Sequence, residues 1–138
     1  MTGNSEARLP GELAVASFGH GMFARVIQEV RSAEWSVILL ATNEEPDVLP
    51  YEIVFHHAGN RWTEMMGSDS PGWRRAGDGN GFVTAWGETE TDSPHVAISY
   101  RGVTITRPVT DSYYLGVFWD IPEDEFDPDA PPEVTGPG

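Results

Sequence analysis

Short runs of apolar or alternating residues, each closed by turn chemistry, follow one another along most of this chain, and that punctuation limits it to β-rich architectures. Trp35 to Ala41 (WSVILLA) is a near-continuous apolar run, as a central strand covered on both faces requires. Tyr51 to His57 alternates Tyr51, Ile53, Phe55 and His57 against Glu52, Val54 and His56, which predicts one wetter face. Ala58-Gly59-Asn60 is turn chemistry, so Arg61 to Met66 returns as a hairpin partner. Phe82 to Trp86 and Val96 to Tyr100 are further strands. Arg101-Gly102 is short enough for a two-residue turn into Val103 to Arg107, and Pro108 marks an edge or an end. Tyr113 to Trp119 (YYLGVFW) is the last strong run, and Leu13 to Phe18 reads as a short first one.

One segment has a different period. Phe23, Val26, Ile27 and Val30 stand at i, i+3, i+4 and i+7, with Arg25, Gln28, Glu29 and Arg31 between them. That spacing predicts a one-sided helix of about three turns, with an edge strand over Phe23 to Val30 as the alternative. The expected fold is therefore mainly β: an antiparallel β-sandwich of seven to eight strands with one N-terminal amphipathic helix, with an α+β arrangement as the alternative.

With 138 residues the chain is long enough for one unstapled core, burying roughly 68% of the surface its unfolded form exposes. There is no cysteine, which excludes disulfides, thiol catalysis and thiolate metal sites. No apolar run approaches the roughly 20 residues of a membrane helix, and Met1 to Pro10 lacks the layout of a secretory signal, so the expected location is the cytoplasm. Twenty-two acids face eight bases, giving −14, and every base is arginine; the chain is lysine-free. Such a surface repels phosphate backbones and anionic membranes and favours a protein partner with a basic surface. The charge is uneven: seven acids and five prolines lie between Asp120 and Gly138, with no base. Residues 1–119 carry fifteen acids and eight arginines, so half of the net charge sits in the last 19 residues. Like-charge repulsion and proline-fixed backbone predict an extended, solvated tail over 121–138. Residues 1–11 form a flexible start, and 12–120 a single β-rich domain.

Motifs for catalysis are sparse. His56 and His57 are adjacent on a strand and point to opposite faces, and His95 follows Pro94 at a strand start, so no metal site or cofactor is expected. Gly19-His20-Gly21 reads as a turn, since no phosphate-loop pattern follows. Gly77-Asp78-Gly79-Asn80-Gly81 resembles the start of a calcium loop, but Phe82 and Val83 stand where a ligand and the sharp-turn glycine belong. No serine lies in a nucleophile elbow. A small-molecule enzyme is the least supported reading, and no catalytic residue is assigned.

Five tryptophans are a high number for this length. Trp35 and Trp119 lie in apolar runs and are expected in the core. Trp73 sits in Ser70-Pro71-Gly72-Trp73-Arg74-Arg75, read as a loop holding two of the eight arginines. Tryptophan and arginine dominate binding hot spots, so Trp73, Arg74 and Arg75 are contact candidates. In the tail, Glu123-Asp124-Glu125-Phe126-Asp127 sets one aromatic in a dense acidic run, which can dock on a basic groove by burying the ring. The expected function is a non-enzymatic protein-binding module, an adaptor or accessory subunit. The alternative is an acidic inhibitor or immunity-type protein that occupies a basic nuclease or nucleic-acid-binding protein by mimicking phosphate charge.

Overall fold

The computed structural model describes residues 9–18, 24–42, 49–77, 80–89, 94–127 and 129–135. The chain is mainly β: ten strands in three antiparallel sheets, with a single α-helix among the described residues.

That helix, α1 (Pro10–Phe18), occupies the stretch expected as the first strand. Pro10 suits the first turn, where its missing N–H has no intrahelical partner to lose. Glu12 reaches back so that its Oε1 accepts the Leu9 N–H at 2.9 Å, as in a capping box. The expected helix is instead strand β1 (Arg25–Arg31), paired with β2 (Trp35–Ala41). Val26, Ile27 and Val30 are β-branched and fit a pleated strand better than a helix. A bulge between Val26 and Gln28 leaves Ile27 without a partner on β2, so two neighbouring apolar residues are both covered. That bulge imitates a helical spacing. Phe23, Gly19, His20 and Gly21 lie outside the described residues.

Strands β3 (Tyr51–Ala58) and β4 (Arg61–Ser68) complete a meander in the order β1-β2-β3-β4. On one face Ile38, Leu40, Ile53 and Phe55 close over Ala14 of α1, each at most 2% exposed. Burying side chains of this size contributes about 1.5–3 kcal/mol each. The wetter face expected of β3 is not wet near its middle: Glu52 is 1% and Val54 0% exposed. The strand is central in its sheet, flanked by β2 and β4.

Two further sheets follow. β5 (Gly72–Ala76), β6 (Asn80–Glu88) and β9 (Tyr113–Pro122) form one, in the order β5-β6-β9. β7 (His95–Tyr100), β8 (Val103–Pro108) and β10 (Glu133–Thr135) form the other, in the order β10-β7-β8. The β7–β8 turn has Arg101 at φ 53° and Gly102 at φ 81°, the twist a two-residue hairpin needs. The two sheets pack through Val83 and Phe118 against Val96, Ile98 and Tyr100. They come close at Gly116, where a Cβ would stand 2.6 Å from the Ile98 Cδ1.

A bulge near the end of β9 sets what comes after it. Gly81 and Phe82 of β6 face Ile121 and Trp119, so Asp120 is an extra residue, held at φ 57°. Tyr114 and Phe118 point into the core between these sheets, and strict alternation would turn Ile121 away from it. The extra residue restores Ile121 to the core side, where it packs with Phe118. The expected solvated tail thus begins inside a strand, and residues 133–135 pair with β7. The chain divides into two compact units, Met1–Ser70 and Pro71–Gly138, where composition pointed to a single domain over 12–120. The deepest tryptophan is Trp86, 2% exposed, whereas Trp35 and Trp119, expected in the core, are half-buried.

Candidate functional site

The contact candidates named from the sequence, Trp73 to Arg75 and Glu123 to Asp127, all fall in the second unit. Trp73, Arg74 and Arg75 lie on strand β5 and not in a loop, paired with Ala85, Thr84 and Val83 of β6. Alternation along β5 turns Trp73 toward the core between the two sheets, where its ring lies 6.2 Å from that of Tyr100. Arg75 spans β6: its Nε donates to the Ile121 carbonyl at 2.9 Å and its Nη1 to the Gly77 carbonyl at 3.0 Å. Gly81 makes room for this reach, because a Cβ there would collide with the Ala76 carbonyl oxygen and stand 3.0 Å from the Arg75 Nη2. Arg74 has its Nε and Nη2 atoms buried. Arg75, through its bond to Ile121, ties β5 to the end of β9.

The acidic run is fixed by the same framework. Glu123, Asp124 and Glu125 form a single 3-10 turn, and the Phe126 N–H closes it by donating to the Glu123 carbonyl at 3.3 Å. This turn sends Phe126 back onto the body. Its ring centroid lies 5.4 Å from that of Trp73 at an interplanar angle of 52°, a tilted pair of the kind that adds about 0.5–1.5 kcal/mol beyond area burial. Phe126 is half-buried among Trp73, Ile121 and their neighbours. Two groups proposed separately from the sequence are therefore one contact.

The carboxylates stay outside. Glu123, Asp124, Glu125 and Asp127 are exposed, as are Asp120, Asp129 and Glu133 around them. Arg101, in the β7–β8 turn, lies 3.5 Å from the Glu125 carboxylate; both are open to water, so the pair adds little stability. Asp127 accepts the Asp129 N–H at 2.9 Å through Oδ1, and its carbonyl accepts the Ala130 N–H at 3.2 Å. Beyond these turns β10 joins the sheet of β7. The arrangement is a ridge of carboxylates whose backbone is tied at Ile121, Phe126 and Val134. Sequence reasoning missed Arg101 and β10. The regular signal for β10 was Val134, a lone β-branched residue next to a threonine in a proline-rich stretch.

The histidines sit elsewhere. His56 lies against Trp35, with centroids 4.4 Å apart, and His57 stacks on Trp62 at 4.6 Å and 25°. Among the described residues, no three His, Asp or Glu side chains group to hold a metal ion. No described helix is long and apolar enough to cross a membrane. Comparison with protein-family models, with curated proteins and with solved structures finds no match to this chain.

Proposed function

We propose that this chain is a non-enzymatic, cytoplasmic protein-binding module whose ridge of carboxylates at Glu123, Asp124, Glu125 and Asp127 engages a basic protein surface. The observation that carries this reading is the Phe126–Trp73 contact, which holds the acidic turn on a rigid body. Acids fixed in place lose less freedom on binding than the same acids on a loose tail. Their field steers a basic partner into register and fades with salt, since exposed charges are screened beyond about 8 Å at physiological ionic strength. In this reading Trp73, Phe126 and Arg75 position the contact residues and do not themselves enter the partner.

The same placement favours one specific form of binding. Acids on a folded surface suit mimicry of a phosphate array better than acids on a peptide-like tail, so an inhibitor of a basic nuclease or nucleic-acid-binding protein is the second reading. The test is affinity capture from the source lysate at low and moderate salt. The full chain is compared with a variant carrying Glu123→Gln, Asp124→Asn, Glu125→Gln and Asp127→Asn. A basic protein retained by the first and lost from the second is the expected result. Equal capture by both chains, or capture by neither, refutes the proposal. A captured nuclease that loses activity when bound selects the mimic.

A further inference from the structure

The strand that covers one edge of β7 is the most exposed of those described. In β10 (Glu133–Thr135) every residue is exposed, and its apolar member, Val134, is 39% exposed. β8 runs beside the whole of β7, from His95 to Tyr100, whereas β10 covers only Ala97 to Ser99. Beyond the backbone ladder, the Thr135 Oγ1 reaches the Ala97 carbonyl at 3.5 Å, at the outer limit of a hydrogen bond. A strand with so little apolar burial has mainly its backbone bonds to set against the entropy of ordering it.

The connection to it has the make-up of a hinge. Phe126 is anchored on Trp73, and the stretch between it and β10 is Asp127-Pro128-Asp129-Ala130-Pro131-Pro132. The backbone folds back there through two bonds: the Asp129 N–H donates to the Asp127 Oδ1 at 2.9 Å, and the Ala130 N–H to the Asp127 carbonyl at 3.2 Å. Asp127, Asp129 and Ala130 are exposed, so water replaces both bonds when the turn opens. The prolines then favour an extended hinge of about 3.1 Å per residue, roughly 19 Å in all. Opening this turn leaves Ile121 and Phe126 packed where they are and uncovers the edge of β7.

The strand that fits the uncovered edge is on the page: Glu133-Val134-Thr135, in register with Ser99, Ile98 and Ala97. Every other copy of the chain carries it on the same hinge. Exchange between two copies restores each pairing of β10 with β7 and alters only the hinge, the condition under which swapping costs little. In a reciprocal exchange the two hinges pass each other at the two-fold axis, each bringing Asp127, Asp129 and Glu133. Those carboxylates repel one another, and salt screens the repulsion. We infer that β7 accepts the β10 strand of a second copy, giving a reciprocal strand-exchanged dimer that salt promotes.

The chain has no cysteine, so any disulfide reports introduced thiols alone. Glu133 lies opposite Ser99 across β10 and β7. One full-length chain carries Ser99→Cys and a mass tag, and a second carries Glu133→Cys. They are mixed at about 1 mM, the effective concentration that a short link imposes on its own strand. The mixture is oxidised with a glutathione couple, and its disulfides are mapped by mass spectrometry. Sedimentation equilibrium of the unmodified chain, at about 50 and about 500 mM sodium chloride, measures the dimer directly.

The expected disulfide joins the two different chains, at least fivefold in excess over either like-with-like product of random collision. The dissociation constant of the dimer falls at least threefold from the lower salt to the higher. Deleting Asp129 and Ala130 removes the turn that folds the hinge back and strengthens the dimer at least tenfold. Val134→Pro takes an N–H from a three-residue strand and returns the chain to monomer. The variant with Glu123, Asp124, Glu125 and Asp127 neutralised dimerises at least as tightly as the unmodified chain, which separates this exchange from capture of a basic protein. Cross-chain disulfides no more frequent than random collision overturn the proposal. A dimer that survives Val134→Pro lies on another surface and overturns it, as does a dimer that salt weakens. A monomer that persists after deletion of Asp129 and Ala130 overturns it too.

Discussion

Replacing Phe126 with alanine tests whether the acidic ridge is held by the body or merely lies near it. A fully buried phenylalanine costs about 3–5 kcal/mol on truncation, and Phe126 is half-buried, so area and cavity effects come to about 2 kcal/mol. Losing the tilted pair with Trp73 adds about 0.5–1 kcal/mol. The sum, about 2.5–3 kcal/mol, is large beside a typical domain stability of about 5–15 kcal/mol. Urea unfolding, followed by both tryptophan emission and circular dichroism, measures the global part. Hydrogen exchange measures the local part: β10 amides and the Phe126–Asp127 turn are expected to exchange roughly a hundredfold faster, the factor that about 2.7 kcal/mol implies. Coupling is isolated by a double-mutant cycle with Trp73→Leu, where the pair term should appear as about 1 kcal/mol of non-additivity. A Phe126→Ala loss below about 0.5 kcal/mol, with β10 exchange unchanged, refutes the argument. The ridge would then be held by Ile121 and β10 alone.

Asp120 sits at φ 57° as the extra residue of the β9 bulge; Asp120→Gly should hold or raise stability by a few tenths of a kcal/mol, while Asp120→Val should cost about 1–2 kcal/mol in urea titrations. The buried Tyr100 hydroxyl makes no hydrogen bond among the described residues, so Tyr100→Phe should leave thermal stability unchanged or raise it by about 1 kcal/mol, and a clear loss would show an unseen partner. Burial raises the Tyr114 phenol above its ordinary value of 10.0. The folded state then keeps that proton longer than the unfolded state, so its contribution is complete below about pH 10 and is lost as pH rises through the folded value. Unfolding free energy should fall from about pH 10 upward, less steeply in Tyr114→Phe, and absorbance at alkaline pH checks the titration.

Strands with both a sustained apolar pattern and clean turn signals were readable from the residues: Trp35–Ala41 has the same bounds in the structure, and the Arg101-Gly102 turn is where its chemistry put it. The failures trace to backbone irregularity and to polar residues with interior roles. Bulges at Ile27 and Asp120 shift the phase of alternation by one, so the first strand imitated a helix and the last seemed to stop at Trp119. Arg74 and Arg75 made β5 look like a loop, because hydropathy cannot show that Arg75 reaches two backbone carbonyls. Leu13 to Phe18 is too short for periodicity to separate helix from strand, although Pro10 and Glu12 already spelled a helix start. At the site, Trp73 and Phe126 were both visible as candidates. Their mutual contact, across 53 positions of sequence, was not, since no local pattern encodes it.

The pairing of β10 with β7 has a consequence for synthesis. β7 meets β8 across a two-residue turn, but its other neighbour is built 33 residues after Tyr100. At about 5–20 residues per second those residues take a few seconds to make, and one flank of β7 is open until they are. During that interval the molecule presents an unfinished sheet to whatever strands surround it. The carboxylates of residues 120–133 leave the ribosome just before Val134, so a strongly charged segment flanks that open edge as it is being closed. Negative charge beside a waiting strand discourages pairing with other chains.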